Sequence, residues 1–462
     1  MKTLLFACLF LFIVGQCPAQ LTPGKVIDSV FCLEDSEQSY ALYLPSNYSD
    51  SIEWPAIFIF EPAARGHLPV KRFRPVAEEL GYILISSNNS RNGSWEVVFY
   101  AAEALFSDAS ERYTVDASRI YTAGFSGGAR AAAALAVITN QIAGVIACGA
   151  GLPNTVEYQP NKAHRFDYVS VAGVKDMNYL ELKKVAKKLE ELGFVNHQLW
   201  FNGGHTWPPS HYLKQAVYWL ELQQVKRGSY NPYYNLKTAF NIDVHTIDSL
   251  LEISEIYNAV DHYYKTVEDY KERIDLTSLE SRVSPYIDGK EFKKQAKRQL
   301  KIERQEARYQ DKYFEAFSEA WYTRLRVEND STIKGIWWWQ NEIDELRSLA
   351  KKENGYLSMS LRLLNLIWAK FAEASFNFQQ QGDTKTAITF NEIWLYADPS
   401  SVWGSFNMAK LYGLSYNKKK TMYYLNMAYE LGMSRPQSIK KQPEFSFLKK
   451  EAEYIELLQK LN

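Results

Sequence analysis

Arg119-Ile120-Tyr121-Thr122-Ala123-Gly124-Phe125-Ser126-Gly127-Gly128 decides how this chain is read. A β-branched and aromatic run meets a serine between glycines, and the small-residue stretch Ala129 to Ala136 follows at once. The pattern Gly124-x-Ser126-x-Gly128 predicts a strand, a cramped turn and a helix, the setting of a nucleophile elbow. Glycines flank such a turn because a Cβ there would clash. The helix start beneath the hydroxyl favours negative charge developing beside it.

Further along the chain lie an acid and a base in the order that such a serine needs. Tyr168-Val169-Ser170-Val171-Ala172-Gly173-Val174-Lys175-Asp176 reads as a strand ending in a turn that carries Asp176. Gly203-Gly204-His205-Thr206-Trp207-Pro208 reads as a glycine-flanked histidine loop before a last helix, Tyr212 to Leu222. Asp176 would fix the imidazole tautomer, and His205 would accept the serine proton. Around these motifs, strand-like runs at Ala41 to Leu44, Ala56 to Phe60, Tyr82 to Ile85, Gly144 to Cys148 and Tyr168 to Val171 alternate with helical patterns. The helical patterns are Val70 to Leu80, Val97 to Phe106, Gly128 to Thr139 and Leu180 to Leu192. Such alternation predicts a mostly parallel α/β sheet with helices on both faces.

Residues of about 35–225 resemble the α/β-hydrolase superfamily. The lead-in Val115-Asp116-Ala117-Ser118-Arg119-Ile120-Tyr121 and the Gly-Gly-His-Thr-Trp-Pro loop are most similar to its secreted polyhydroxyalkanoate-depolymerase and feruloyl-esterase-like branch. The resemblance implies Ser126 as nucleophile, Asp176 as acid, His205 as base, and Gly127 as one backbone donor of an oxyanion hole. The second donor in that family comes from a His-Gly loop after an early strand. Here that place holds Glu61-Pro62-Ala63-Ala64-Arg65-Gly66. Pro62 has no N–H, so Ala63 is the expected donor. Glu61 and Arg65 are read as a salt bridge or as substrate-binding residues. The polar loop from Ser86 to Gly93 follows a strand on the same edge, as a capped turn or a source of substrate hydrogen bonds.

At 462 residues the chain has room for two or three domains, and its 46% apolar and 23% charged content exclude wholesale disorder. Fifty-three basic and 53 acidic residues cancel, so nothing suggests long-range attraction to nucleic acid. Lys2 followed by the apolar run Leu4 to Val14 and the small-residue step at Ala19 predicts a secretory leader over 1–19, with lipidation of Cys17 as the alternative. The mature protein is then expected to be exported, secreted or periplasmic, with no transmembrane segment. Of the cysteines outside the leader, Cys32 and Cys148 sit in apolar runs and read as buried and unpaired rather than bridged. No cofactor and no metal site are expected.

The chain changes character near Gly228-Ser229-Tyr230-Asn231-Pro232. This bounds a hydrolase domain at 20–228, and the residues beyond it are charged, aromatic-rich helix. An offset of 34 relates Ala374 to Met408, Ser375 to Ala409, Phe378 to Tyr412 and Phe390 to Tyr424, with breaks at Gly382-Asp383, Asp398-Pro399 and Asn417. A 34-residue two-helix period resembles the tetratricopeptide repeat and implies an all-α helical-repeat domain at 359–462, after a helical region at 236–358. Repeats of this kind offer surfaces to protein partners. Trp337-Trp338-Trp339 reads as helix packing or a sugar platform. His67, His164, His197, His211, His245 and His262 lack any triad context and read as packing or surface residues. Asp167 begins its strand, at the end remote from catalysis.

Together these readings predict a secreted serine hydrolase, an esterase for small or polymer-linked esters. Two alternatives stand beside it: a serine peptidase on the same fold, and an interaction module with a vestigial hydrolase domain. All three triad residues precede Gly228, so the helical region is expected to be separable from the chemistry.

Overall fold

Among the strands whose every residue is buried are Trp54–Phe60 (β3), Gly144–Cys148 (β6) and Asp167–Gly173 (β7). Continuous burial of this kind requires cover on both faces. The computed structural model describes residues 22–325, 334–352, 356–434 and 436–461; the leader expected at 1–19, with Cys8 and Cys17, lies outside them. With Val26–Phe31 (β1), Ser39–Tyr43 (β2), Ile83–Ser87 (β4), Val115–Phe125 (β5) and Asn196–Phe201 (β8), these strands make one eight-stranded sheet. Its order is β1-β2-β4-β3-β5-β6-β7-β8. Only β1 with β2 and β2 with β4 run antiparallel; the remaining pairs are parallel. This is the order of the α/β-hydrolase fold, as expected.

The edge strands β1 and β8 carry no sequence signal as plain as that of the centre. Asn196-His197-Gln198-Leu199-Trp200-Phe201 buries alternate residues, and β1 is mostly exposed. Half-covered edges alternate polar with apolar, whereas the middle reads as unbroken apolar runs.

Five helices cover the sheet. Trp95–Arg112 (α2), Gly127–Thr139 (α3) and Tyr179–Leu192 (α4) pack on one face through Ala102, Leu105, Ala132 and Leu189. His67–Leu80 (α1) and Ser210–Lys226 (α5) pack on the other through Phe73, Val76, Ala216 and Leu220. Cys32 and Cys148 are both buried and free. Asp167 opens β7 and pairs with Arg227, at the far edge from the glycine turns.

The remaining helices are Leu236–Glu252 (α6), Ile256–Tyr270 (α7), Thr277–Val283 (α8), Lys290–Thr323 (α9), Ile336–Ala350 (α10), Tyr356–Gln380 (α11), Thr384–Ala397 (α12), Val402–Leu414 (α13), Lys418–Glu430 (α14), Pro436–Lys440 (α15) and Ala452–Lys460 (α16). Packing continues past Gly228, since Ala239 of α6 and Tyr270 of α7 belong to the same apolar cluster as α1 and α5. Asp383 and Asn417 each cap a helix, accepting from the N–H of Thr386 and Lys420. The tryptophan triplet divides: Trp339 is buried against Tyr313 and Phe371, while Trp337 stands 77% exposed. No helix among the described residues is long and apolar enough to cross a membrane.

Candidate active site

Ser126 closes β5 and opens α3 with φ 53° and ψ −121°, a conformation that costs an L-residue energy. The crossing of strand and helix forces it: a Cβ on Gly124 would lie 2.1 Å from the Gly128 carbonyl oxygen. The Ser126 N–H donates to the Cys148 carbonyl of β6 at 2.8 Å, which ties the turn to the sheet.

Two neighbouring loops bring up the acid and the imidazole. After β7, the Val174 and Lys175 N–H groups donate to the carbonyls of Phe201 and Gly203 at 2.8 and 2.9 Å. The turn bearing Asp176 and the loop bearing His205 are therefore bonded backbone to backbone. Asp176 is fully buried, and its carboxylate oxygens lie 2.9 and 3.0 Å from His205 Nδ1. On the other side of the ring, Nε2 is 2.9 Å from Ser126 Oγ. Phe125 packs against the imidazole at 4.7 Å between ring centres, and Trp207 packs on Phe125 at 5.5 Å. Three residues far apart in sequence are thus joined in one hydrogen-bonded row.

The expected oxyanion donors fare differently. The Gly127 N–H begins α3 and has no partner among the described residues. The Ala63 N–H is already spent: it donates to Glu61 Oε2 at 2.7 Å, and the Arg65 N–H joins it at 3.2 Å. The Arg65 guanidinium takes the other carboxylate oxygen, so the salt-bridge reading of Glu61 and Arg65 holds. A buried carboxylate that accepts from its own loop leaves Ala63 no donor to offer a substrate, which corrects that assignment.

Ser126 and Gly127 open into a cavity of about 540 Å³. Pro62, Asn92 and Arg130 form part of its wall, and the opposite wall is α11, through Leu366, Ala369, Lys370 and Glu373. The helical region also grips the acid turn. Arg362 Nη1 donates to the Val174 carbonyl at 2.6 Å, and Asn365 Nδ2 donates to the Lys175 carbonyl at 3.1 Å. Arg362 itself is held by buried Glu306 of α9 and lies 4.5 Å over the Tyr179 ring. The helical region thus lines the cavity that holds Ser126, although the triad residues themselves all precede Gly228. Contacts between residues 188 and 190 positions apart leave no local signal in the sequence.

No protein-family model and no curated protein matches the chain. Among solved structures it is similar to an S-formylglutathione hydrolase from Staphylococcus aureus, at 14% identity and a TM-score of 0.36, over 43% of this chain and 99% of that one. A ferulic acid esterase matches at 17% identity and a TM-score of 0.35, over 43% of this chain and 96% of the other. A fluorophosphonate-binding serine hydrolase of Staphylococcus aureus matches at 13% and 0.35, over 42% and 96%. More than half of this chain has no counterpart in these proteins.

Proposed function

We propose that this protein is a serine hydrolase that cleaves carboxylic esters through an acyl-enzyme. The observation that carries the reading is the row Asp176, His205, Ser126, with 2.9 Å contacts on both sides of the imidazole and a cavity at its open end. Ser126 Oγ attacks the ester carbonyl as His205 Nε2 takes its proton, and the carbonyl π pair moves onto oxygen. Asp176 holds Nδ1 protonated, so Nε2 is the basic nitrogen. Collapse of the tetrahedral intermediate expels the alcohol, which receives the proton from His205. Water then repeats the sequence on the acyl-enzyme. The unpartnered Gly127 N–H, at the positive end of α3, stabilises the negative oxygen.

The apolar run at Leu4 to Val14 supports export of this enzyme by a leader over 1–19. The 34-residue offset supports a tetratricopeptide-like reading of α11 to α14 and a protein partner for them. A vestigial domain would have no need of a strained serine held at 2.9 Å from a histidine, which argues against that reading.

Turnover of an ester panel from acetyl to long acyl chains, with feruloyl and acetyl-sugar esters, tests the proposal beside matched amides. Ester hydrolysis that vanishes in Ser126→Ala is the expected result. Amide cleavage in preference to ester cleavage would replace the esterase with a peptidase.

A further inference from the structure

We infer that the side-chain amide of Asn92 is the second oxyanion donor of this site, in place of the backbone N–H that Glu61 has taken. The inference deepens the serine-hydrolase reading and rests on it. A site with one backbone donor would leave much of the charge on the tetrahedral oxygen unanswered, since each such donor supplies roughly 10²-fold to 10³-fold in rate. The backbone from Pro62 to Arg65 cannot supply it. Pro62 has no N–H, the Ala63 and Arg65 N–H groups go to the Glu61 carboxylate, and the Ala64 N–H goes to the Glu61 carbonyl.

The loop after β4 is fastened to this segment. Asn92 N–H donates to the Pro62 carbonyl at 2.9 Å, and Arg91 forms a lone antiparallel bridge with Ala63. These bonds bring the Asn92 carboxamide onto Gly127. A Cβ built on Gly127 would fall 1.8 Å from Asn92 Oδ1 and 3.3 Å from Nδ2. Residue 127 must therefore be glycine for Asn92 to sit where it does. The carboxamide lines the same cavity as Ser126 and makes no side-chain hydrogen bond among the described residues. Half a turn about its last torsion exchanges oxygen and nitrogen, and no bond opposes that turn. Nδ2 is then beside Gly127, whose N–H is the other donor. When Ser126 Oγ bonds to the carbonyl carbon and the π pair moves to oxygen, both N–H groups can receive it. Asn92 touches the reacting oxygen and is on this account catalytic.

Full-length Asn92→Ala and Asn92→Asp proteins test the inference on a short p-nitrophenyl ester and on a trifluoromethyl ketone, which forms a tetrahedral adduct with an active serine. Both variants should lose about 10²-fold in kcat with KM within a few-fold of the parent. Ketone affinity should fall by about the same factor, and thermal midpoints should not move. Asn92→Asp keeps the shape and exchanges a donor for a negative charge, so a packing role predicts little loss there and a donor role predicts the larger one. Near-parental kcat in Asn92→Asp, or a loss confined to KM, would overturn the inference while leaving the hydrolase reading intact. A parent protein with no turnover and no ketone adduct would instead overturn the serine-hydrolase reading on which the inference rests.

Discussion

Two histidines in this molecule lean on an aspartate, and their surroundings are opposite. His205 spends Nδ1 on Asp176 and presents Nε2 to Ser126 at the floor of a cavity. His262 spends Nε2 on Asp243 at 3.1 Å, deep between α5, α6 and α7, where Gln215 and Tyr270 also donate to that carboxylate. Its ring meets His197, which is stacked on Trp219. The same pair of side chains serves as a proposed base in one place and as satisfaction of buried polar groups in the other. A ring nitrogen bonded to a hydroxyl that lines a cavity makes the difference, and composition alone would not show it.

Removing each carboxylate separates the two pairs most sharply. Asp176→Asn should lower kcat by about 10⁴-fold, because the amide favours the wrong imidazole tautomer, while the fold survives. Asp243→Asn should leave ester turnover at neutral pH near the parental rate and cost about 1–3 kcal/mol of stability in urea unfolding. Equal losses of activity in the two variants would break the comparison.

The grip of α11 on the acid turn comes next in size. Arg362→Met leaves Glu306 buried without its partner and frees the Val174 carbonyl, at a cost of about 3–5 kcal/mol. Asn365→Ala removes the bond to Lys175 and the one that Trp368 Nε1 donates to Asn365 Oδ1, and kcat should fall several-fold with a melting point lowered only slightly. An Asn365→Ala enzyme with unchanged kcat would show that the acid turn holds itself.

The buried cluster also sets an acid limit. Burial lowers the His197 imidazole to about 3, with the nearby His262 pushing the same way. An unfolded histidine titrates near pH 6.5, so the unfolded chain takes up a proton that the folded chain refuses. Stability is thus whole above about pH 6.5 and is lost as pH falls towards 3, by roughly 2 kcal/mol down to pH 5. Burial raises the Asp243 carboxyl, but bonding and charge from His262, with help from His197 and Gln215, leave it below its ordinary value. Its contribution is present above about pH 4 and is lost only in stronger acid. Denaturant titrations at several pH values should show the slope, and His197→Phe should flatten it between pH 6.5 and 5. An unchanged slope would place the acid sensitivity elsewhere.

The smallest effect concerns the cavity wall. Lys370→Ala should change the ranking of bulky or charged esters by a few-fold and leave acetyl esters alone. Uniform loss across the panel would give Lys370 a different role.

How much of this could be read beforehand depends on whether the signal was local. β6 was legible to the residue, and the turn at Ser126 stood out because strand, glycines and helix are contiguous. Asp176 followed a strand into a turn, and His205 stood in a glycine-flanked loop before a helix. Edge strand β8 was missed because polar residues alternate along it. Ala63 was misjudged because a side chain two residues away, Glu61, takes its N–H, and spacing does not reveal where a carboxylate turns. The wall formed by α11 depends on how the helices pack across the sheet edge, which no motif encodes. Asn92 lay in a loop that sequence marked only as polar.

The most direct test is labelling of the full-length protein by a fluorophosphonate, read by intact mass and peptide mapping. The account predicts one covalent adduct per chain, located on Ser126, absent in Ser126→Ala and greatly slowed in His205→Ala. A folded protein that takes no label, or takes it on another serine, would contradict it.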